Sequence, residues 1–245
     1  MLKRVTVAAW NVGHRARRKA IPTELATALE SLDSDVLMLT EFVDGGADRD
    51  QLRGSLSAAG YDHVHVTDPL PVHNQVFVAS RLPIGIGDIV SPTTTSHATS
   101  NFLHVSLRDS EIELIGMRAP SYKGAEKNSY WGEVDGILRN VGDRALVVTG
   151  DLNEDPFKGV SESFTSRKFH GSETLSAVRP EGRWSFMDPN KETSRSRIDH
   201  VLHTPRMRIS DARYIDEVAG VRLAGPASCA PLSDHAALTF TAEVH

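Results

Sequence analysis

Apolar and polar positions along the chain fall into short runs of two kinds. One kind alternates or is densely apolar, as strands are, and the other carries its apolar residues at helical spacing. Residues 4–10, RVTVAAW, alternate and predict a strand that stops at Asn11. From Pro22, PTELATALESL reads as a helix with proline near its start, where a fixed φ is favourable. DVLMLTEF (35–42) is a dense apolar strand that reaches Glu41, and the stretch from Asp44 opens as a loop and becomes a short helix closed by Gly60. A β-rich middle follows, in which YDHVHVTD, QVFVASR, GIGDIVSP, FLHVSLR and EIELIGMRAP are separated by turn residues. NSYWGEVDGILRNV (128–141) then predicts a helix, ALVVTGD (145–151) a strand and SESFTSRKF (161–169) a helix. RIDHVLH (197–203) predicts another strand, and SDHAALTFTAEV (233–244) closes the chain. No fixed-period repeat, low-complexity tract or linker divides the 245 residues, so one α+β or layered α/β domain is expected.

Composition narrows the setting. With 40% hydrophobic and 24% charged residues the chain suits a folded protein with a substantial core. No apolar run approaches a membrane span, and MLKRVTVAAWN passes directly into strand alternation without the apolar segment of a signal peptide. The single Cys229 excludes an intrachain disulfide and a cysteine-built metal site, and a reducing cytoplasm is the simplest location. A net charge of −5 disfavours dense, non-specific binding of long nucleic acid but leaves room for a local basic patch.

The polar residues at the strand ends carry the chemistry. Apolar runs end or begin at Asn11, at Glu41, at Asp151 with Asn153, at Asp199, and at Asp234 with His235. Each has an ordinary explanation on its own: Gly150, Asp151 and Asn153 could form a turn, the residues before the last strand could cap its entry, and Arg197 with Asp199 could be a surface ion pair. Together they form one set of carboxylates and amides without thiolates, which suits a hard cation such as Mg²⁺ or Mn²⁺. If strand geometry persisted through the run, Asp151 and Asn153 would share a face, where one could polarise a water and the other hold it. His235 is a general acid/base or an imidazolium near neutral pH, and Asp199 is its natural partner; His200 should face the other way.

In order and spacing, WN (10–11), LTE (39–41), ASRLPI (79–84), GDLNEDP (150–156), SRIDHVL (196–202) and LSDHAAL (232–238) resemble the endonuclease/exonuclease/phosphatase superfamily. The resemblance covers nearly the whole chain. It implies a four-layer α/β/β/α sandwich of the DNase I type and divalent-metal-dependent hydrolysis of a phosphoester. On the matching positions it implies Asn11 and Glu41 as the metal pair, with Asp234 as a further ligand. Asp151 and Asn153 would then orient the attacking water and the phosphate, and Asp199 would orient His235. One position departs from the pattern: where many members carry His or Tyr, GMRAPS presents Arg118, which can clamp a phosphate but not readily donate a proton. Under a shifted alignment, Tyr122 or Lys123 would take that place.

The substrate is less legible. The basic run GHRARRK (13–19) follows Asn11, so Arg15 and Arg17, with Arg18 and Lys19, either hold phosphates or form a solvated helix start. Arg195 and Arg197 precede Asp199, and Trp184 beside Arg183 could stack a base or simply pack. His63 and His65 share a strand face, but no third ligand is evident, and His14, His73 and His97 do not complete a site. Three functions compete: a nuclease on DNA or RNA, a phosphatase or phosphodiesterase for a small molecule or lipid headgroup, and a non-catalytic module on the same fold.

Overall fold

In the computed structural model, residues 2–13, 20–70, 74–94, 98–121, 124–157, 175–191 and 193–245 are described. In chain order the elements are β1 (Arg4–Asn11), α1 (Thr23–Ser31), β2 (Val36–Phe42), α2 (Ala47–Ala58), β3 (His63–Val66), β4 (Gln75–Ser80), β5 (Ile84–Ile86), β6 (Phe102–Leu107), β7 (Ile112–Arg118), α3 (Ala125–Arg139) and β8 (Ala145–Asp151). They continue with β9 (Ser176–Val178), β10 (Phe186–Met187), β11 (Arg195–Ser196), β12 (Asp199–His203), β13 (Met207–Ile215), β14 (Glu217–Val218), β15 (Val221–Arg222) and β16 (Ala237–Val244). The helix expected over 161–169 lies outside the described residues.

Two six-stranded sheets carry the fold, ordered β13-β16-β1-β2-β4-β3 and β5-β6-β7-β8-β12-β9. Each has one parallel pair at its centre, β1 with β2 and β7 with β8, and the other pairings are antiparallel. A parallel pair needs a crossover, and the chain supplies α1 in one sheet and α3 in the other.

Alternation decides what each face buries. In β1, Val5, Val7 and Ala9 point into a layer shared with Met38, Val76, Val105, Leu114, Val147 and Phe240, between the sheets. The intervening Ala8 and Trp10 face Leu25, Leu29, Leu52 and Leu56 of α1 and α2. On the far side, Ile115, Leu146 and Val148 meet Tyr130, Trp131, Val134 and Leu138 of α3, spaced for one helical face. The order of layers is thus helices, sheet, sheet, helix, a four-layer α/β/β/α sandwich. At roughly 1.5–3 kcal/mol for each fully buried aliphatic side chain, these three layers outweigh the individual hydrogen bonds.

The structure departs from the sequence pattern at two places. The strand expected over 85–92 is confined to Ile84–Ile86; Gly87 still donates its N–H to His104 O at 2.9 Å and lies against the His104 ring, where an added Cβ would lie 1.9 Å from Nδ1. The strand β13 alternates in two short pieces, Met207 to Ser210 and Ala212 to Tyr214, but the alternation slips by one residue at Asp211, where its register with β16 shifts between Ser210 and Arg213. Charged residues and a bulge are normal on an exposed sheet edge.

Candidate active site

The polar residues gather where the two parallel pairs end. Asn11 closes β1, Glu41 lies one residue before the end of β2, Arg118 closes β7 and Asp151 closes β8. Asp199 opens β12 directly opposite Asp151, and His235 lies two residues ahead of β16. Among these residues, three side-chain pairs join one sheet to the other. The Nδ2 of Asn11 donates to Asp151 Oδ2 at 2.9 Å, and the Nε of Arg118 donates to Glu41 Oε1 at 2.7 Å. The third is the contact of His235 Nδ1 with Asp199 Oδ2 at 2.8 Å.

The backbone is specialised at these points. Glu41 has φ 52 within a register irregularity between β2 and β4, and Asn153 has φ 49. Left-handed non-glycine residues cost free energy and persist where surrounding contacts hold them. Asn153 is so held: its N–H donates to Asp151 Oδ1 at 2.9 Å and its Nδ2 to Ala119 O at 2.8 Å. Lys127 of α3 donates to its carbonyl at 2.7 Å and pairs with Glu154 at 2.9 Å. Strand geometry does not persist past Asp151, yet Asn153 Nδ2 still lies 3.2 Å from Asp151 Oδ2. The expected common face is reached by an Asx turn, so the turn and the rim of the site are the same structure. Gly150, at φ 132, permits this close passage, because an added Cβ would meet Met117 O at 2.2 Å.

Burial and charge set the protonation of the cluster. Burial, reinforced by Asp199 and Glu41, pushes the Asp151 carboxyl up to about 6, against the opposing pull of His235 and Arg118. For His235, burial would lower the pKa, but Asp199, Asp151 and Asp234 more than offset it and raise the imidazole to about 10. The Asn11 amide is fixed in orientation, since Oδ1 accepts from the Gly13 N–H at 3.0 Å and Nδ2 therefore faces Asp151. Asp234 is more open, with Oδ1 4.0 Å from His235 Nε2 and 3.3 Å from Ser233 Oγ.

Several supporting residues had no signal in the sequence. Ser185 Oγ accepts from the N–H groups of Ile198 and Asp199, at 2.9 and 3.1 Å, and so positions the start of β12. Ser233 Oγ donates to Asn11 O at 2.7 Å and accepts from the His235 N–H at 3.1 Å. Trp10 Nε1 donates to His235 O at 2.7 Å, and the ring of Phe186 lies 5.0 Å from that of His235. Of these, Trp10 and Ser233 stood in sequence motifs, beside Asn11 and Asp234, while Ser185 and Phe186 did not.

The expected substrate residues are distributed differently. Arg195 lies over the Trp184 ring at 5.8 Å, while Arg197 Nη2 donates to Gly182 O at 2.5 Å. Among the described residues, no hydrogen bond or ion pair links either of them to Asp151, Asp199 or His235. Arg15, Arg17, Arg18, Lys19, Tyr122 and Lys123 lie outside the described residues, as do His14, His73 and His97. His200 faces away as expected, with Nε2 3.1 Å from Arg197 O and 3.7 Å from Asp155.

Among the described residues, two groups of acidic and histidine side chains offer possible metal-ligand atoms within 4.8 Å of one another: Asp151, Asp199 and His235, and separately Asp88, His104 and Glu113. The second group is closed by Arg144, whose Nη2 donates to Asp88 at 2.6 Å and also to Glu113. His104 is engaged at both ring nitrogens, by the Ile89 N–H at 3.0 Å and by Glu113 at 2.8 Å. That group is an ion-pair network.

In the first group Asp199 and His235 are already committed to each other. The oxygen donors left around them belong to Asn11, Glu41, Asp151 and Asp234. A sandwich with such a site at the ends of its strands has the form of a phosphoester hydrolase, and the family model fits accordingly. The description "Endonuclease/Exonuclease/phosphatase family" matches residues 8–235, and the chain belongs to that family. No curated protein matches.

Among solved structures, an endonuclease/exonuclease/phosphatase from Beutenbergia cavernae is 19% identical with a TM-score of 0.71, over 99% of this chain and 72% of that one. Another from Bacteroides vulgatus is 14% identical with a TM-score of 0.72, over 100% of both chains. A 3′ phosphatase from Neisseria, bound to a product DNA hairpin, is 19% identical with a TM-score of 0.66, over 98% of this chain and 99% of that one. At such identities the likeness is one of fold.

Proposed function

We propose that the protein is a Mg²⁺- or Mn²⁺-dependent phosphodiester hydrolase, and specifically a nuclease acting on DNA or RNA. The observation that carries this reading is the Asp199–His235 pair set against the run Asn11, Asp151 and Asn153, with Glu41 and Arg118 beside them.

The donor set fits a hard divalent ion. Glu41 and Asp151 are buried carboxylates within one cluster, and their oxygens are the ligands such ions prefer. Asn11 and Glu41 would hold the ion, with Asp234 as a further oxygen ligand; one lone pair of Asn11 Oδ1 is used by Gly13 and the other can ligate. When bound, the ion offsets the charge that develops on the phosphate oxygens.

The side chains of this chain do the rest. Asp151 takes the proton of the attacking water, and a pKa near 6 leaves it mostly ionised at neutral pH while more basic than an exposed aspartate. Asn11 and Asn153 donate to Asp151 and fix the direction of its lone pairs. His235, held through Nδ1 by Asp199, presents Nε2–H to a phosphate oxygen as an imidazolium. Arg118 adds a second cation at the phosphate.

A polymer substrate is favoured by Trp184 with Arg195 above it. Trp184 precedes β10 and Arg195 opens β11, and the β10–β11 pair docks on the His235 segment through Met187 N–H to Asp234 O at 3.0 Å. The fold neighbour from Neisseria was solved with DNA, which is consistent. The acidic net charge favours the second reading, a phosphatase or phosphodiesterase for a small phosphoester.

Incubation with plasmid, single-stranded DNA, RNA and a chromogenic phosphodiester, in Mn²⁺ and in chelator, separates the two. Cleavage of polymer that stops on chelation and in Asp151→Asn and His235→Ala supports the nuclease. Cleavage confined to the small ester selects the second reading, and full activity in chelator removes the metal from both.

A further inference from the structure

Glu41 and Arg118 face each other across the two sheets with no length to spare. Glu41 is buried to 4% exposure and its backbone is held left-handed, so the carboxylate has little freedom to move toward solvent. Arg118 reaches from the last residue of β7, and its Nε lies 2.7 Å from Glu41 Oε1 and 3.8 Å from Asp151 Oδ2. A buried carboxylate of this kind requires a cation, and here the cation is part of the chain.

We infer that Arg118 is an internal counter-ion that holds Glu41 until a divalent ion takes its place, so that ion binding and release of the guanidinium toward the phosphate are a single exchange. This rests on the metal-dependent reading above. A divalent ion and a guanidinium on the same small carboxylate repel each other strongly in a buried site, where water screens little. The ion therefore competes with Arg118 for Glu41. Once displaced from Glu41, the guanidinium can turn to the phosphate that arrives with the ion, and its planar fork suits two phosphate oxygens. The cost falls on ion affinity and the benefit on substrate binding, so removal of the guanidinium should move the two in opposite directions. A purely structural arginine would weaken both, and a simple phosphate clamp would leave ion affinity unchanged.

Calorimetric titration of Mn²⁺ into wild type, Arg118→Met and Arg118→Lys tests the exchange, alongside thermal melts with and without Mn²⁺ and steady-state cleavage. Arg118→Met should bind Mn²⁺ about tenfold or more tightly than wild type, the equivalent of one charge-assisted hydrogen bond no longer broken on binding. Its melting temperature should fall without Mn²⁺ and recover at saturation, while KM for the phosphoester rises. Arg118→Lys keeps the charge but loses the fork, and should shift Mn²⁺ affinity in the same direction by a smaller factor. Equal or weaker Mn²⁺ binding in both variants overturns the inference and leaves the hydrolase reading intact if chelator still stops wild-type cleavage. Absence of Mn²⁺ uptake by wild type, with cleavage indifferent to chelator, overturns the metal-dependent reading itself.

Discussion

Replacing Gly150 by alanine sets a methyl group where the structure has none to spare. The added carbon would lie 2.2 Å from Met117 O, a backbone atom of the parallel neighbour β7 that cannot swing aside as a side chain could. A second cost comes from the backbone, since φ 132 belongs to a region that only glycine adopts readily. The conformational part is worth about 1–3 kcal/mol. Forcing the strands apart adds about 1–3 kcal/mol, as overpacking does elsewhere. Together these are about 2–6 kcal/mol, a large share of the roughly 5–15 kcal/mol that holds a protein folded.

Gly124 separates the two terms: it has φ 125, but an added Cβ there meets nothing within 4 Å. Urea denaturation of Gly150→Ala and Gly124→Ala, with the midpoints compared at equal slope, therefore isolates the clash. Gly150→Ala should lose at least about 1 kcal/mol more than Gly124→Ala. Because Met117 and Gly150 each precede a site residue, its folded fraction should also lose activity, whereas Gly124→Ala should not to the same degree. Equal losses of stability in the two variants would refute the clash argument.

Three further outcomes follow from individual contacts. Asp199→Asn keeps the shape of the site but removes the carboxylate that fixes and charges His235, so kcat should fall about 10²–10⁴-fold and the melting temperature should drop as well, because a buried ion pair is broken; a loss of less than threefold in steady-state cleavage would contradict this. Lys127→Met removes the donor to Asn153 O and an ion-pair partner of Glu154, and should cost about 1–3 kcal/mol in urea titrations and lower kcat more than it changes KM. Glu113 is pushed up by burial but pulled further down by hydrogen bonds from His104 and Arg144, so its folded pKa lies below the ordinary 4.5. A depressed carboxylate stabilises the fold above its unfolded value and ceases to do so as pH falls through the folded value. Glu113→Gln should therefore be less stable at pH 7 by about 1–3 kcal/mol, and chemical denaturation near pH 3 should show the gap narrowed.

Much of the fold could be read because burial writes itself into periodicity. The central strands β1, β2, β4, β7 and β8 are buried along most of their length, and their apolar runs were unmistakable. The short ribbons β10–β11 and β14–β15 bury little, so polar residues were free to interrupt any pattern, and in the edge strand β13 the bulge between Ser210 and Arg213 cuts the alternation into two short pieces. The candidate site was legible for a related reason: Asn11, Glu41, Asp151, Asp199 and His235 are polar residues placed where apolar strands stop, which is conspicuous. Arg118 also stood at a strand end, but its attachment to Glu41 is a contact between sheets that one-dimensional spacing does not encode. Ser185 and Lys127 act through backbone atoms of distant segments, and no pattern in a single chain announces such a partner.

Each of the three pairs that join the site, Asn11 with Asp151, Arg118 with Glu41 and His235 with Asp199, has one member on either sheet. The chemistry thus sits on a seam, and the pairs work like three pins through two plates. A slide of one sheet over the other by even an ångström would unseat all three together while leaving every strand ladder intact. The candidate site is accordingly the most sensitive gauge of how the halves are aligned. In mild denaturant, turnover would vanish before the far-UV signature of the sheets had begun to change.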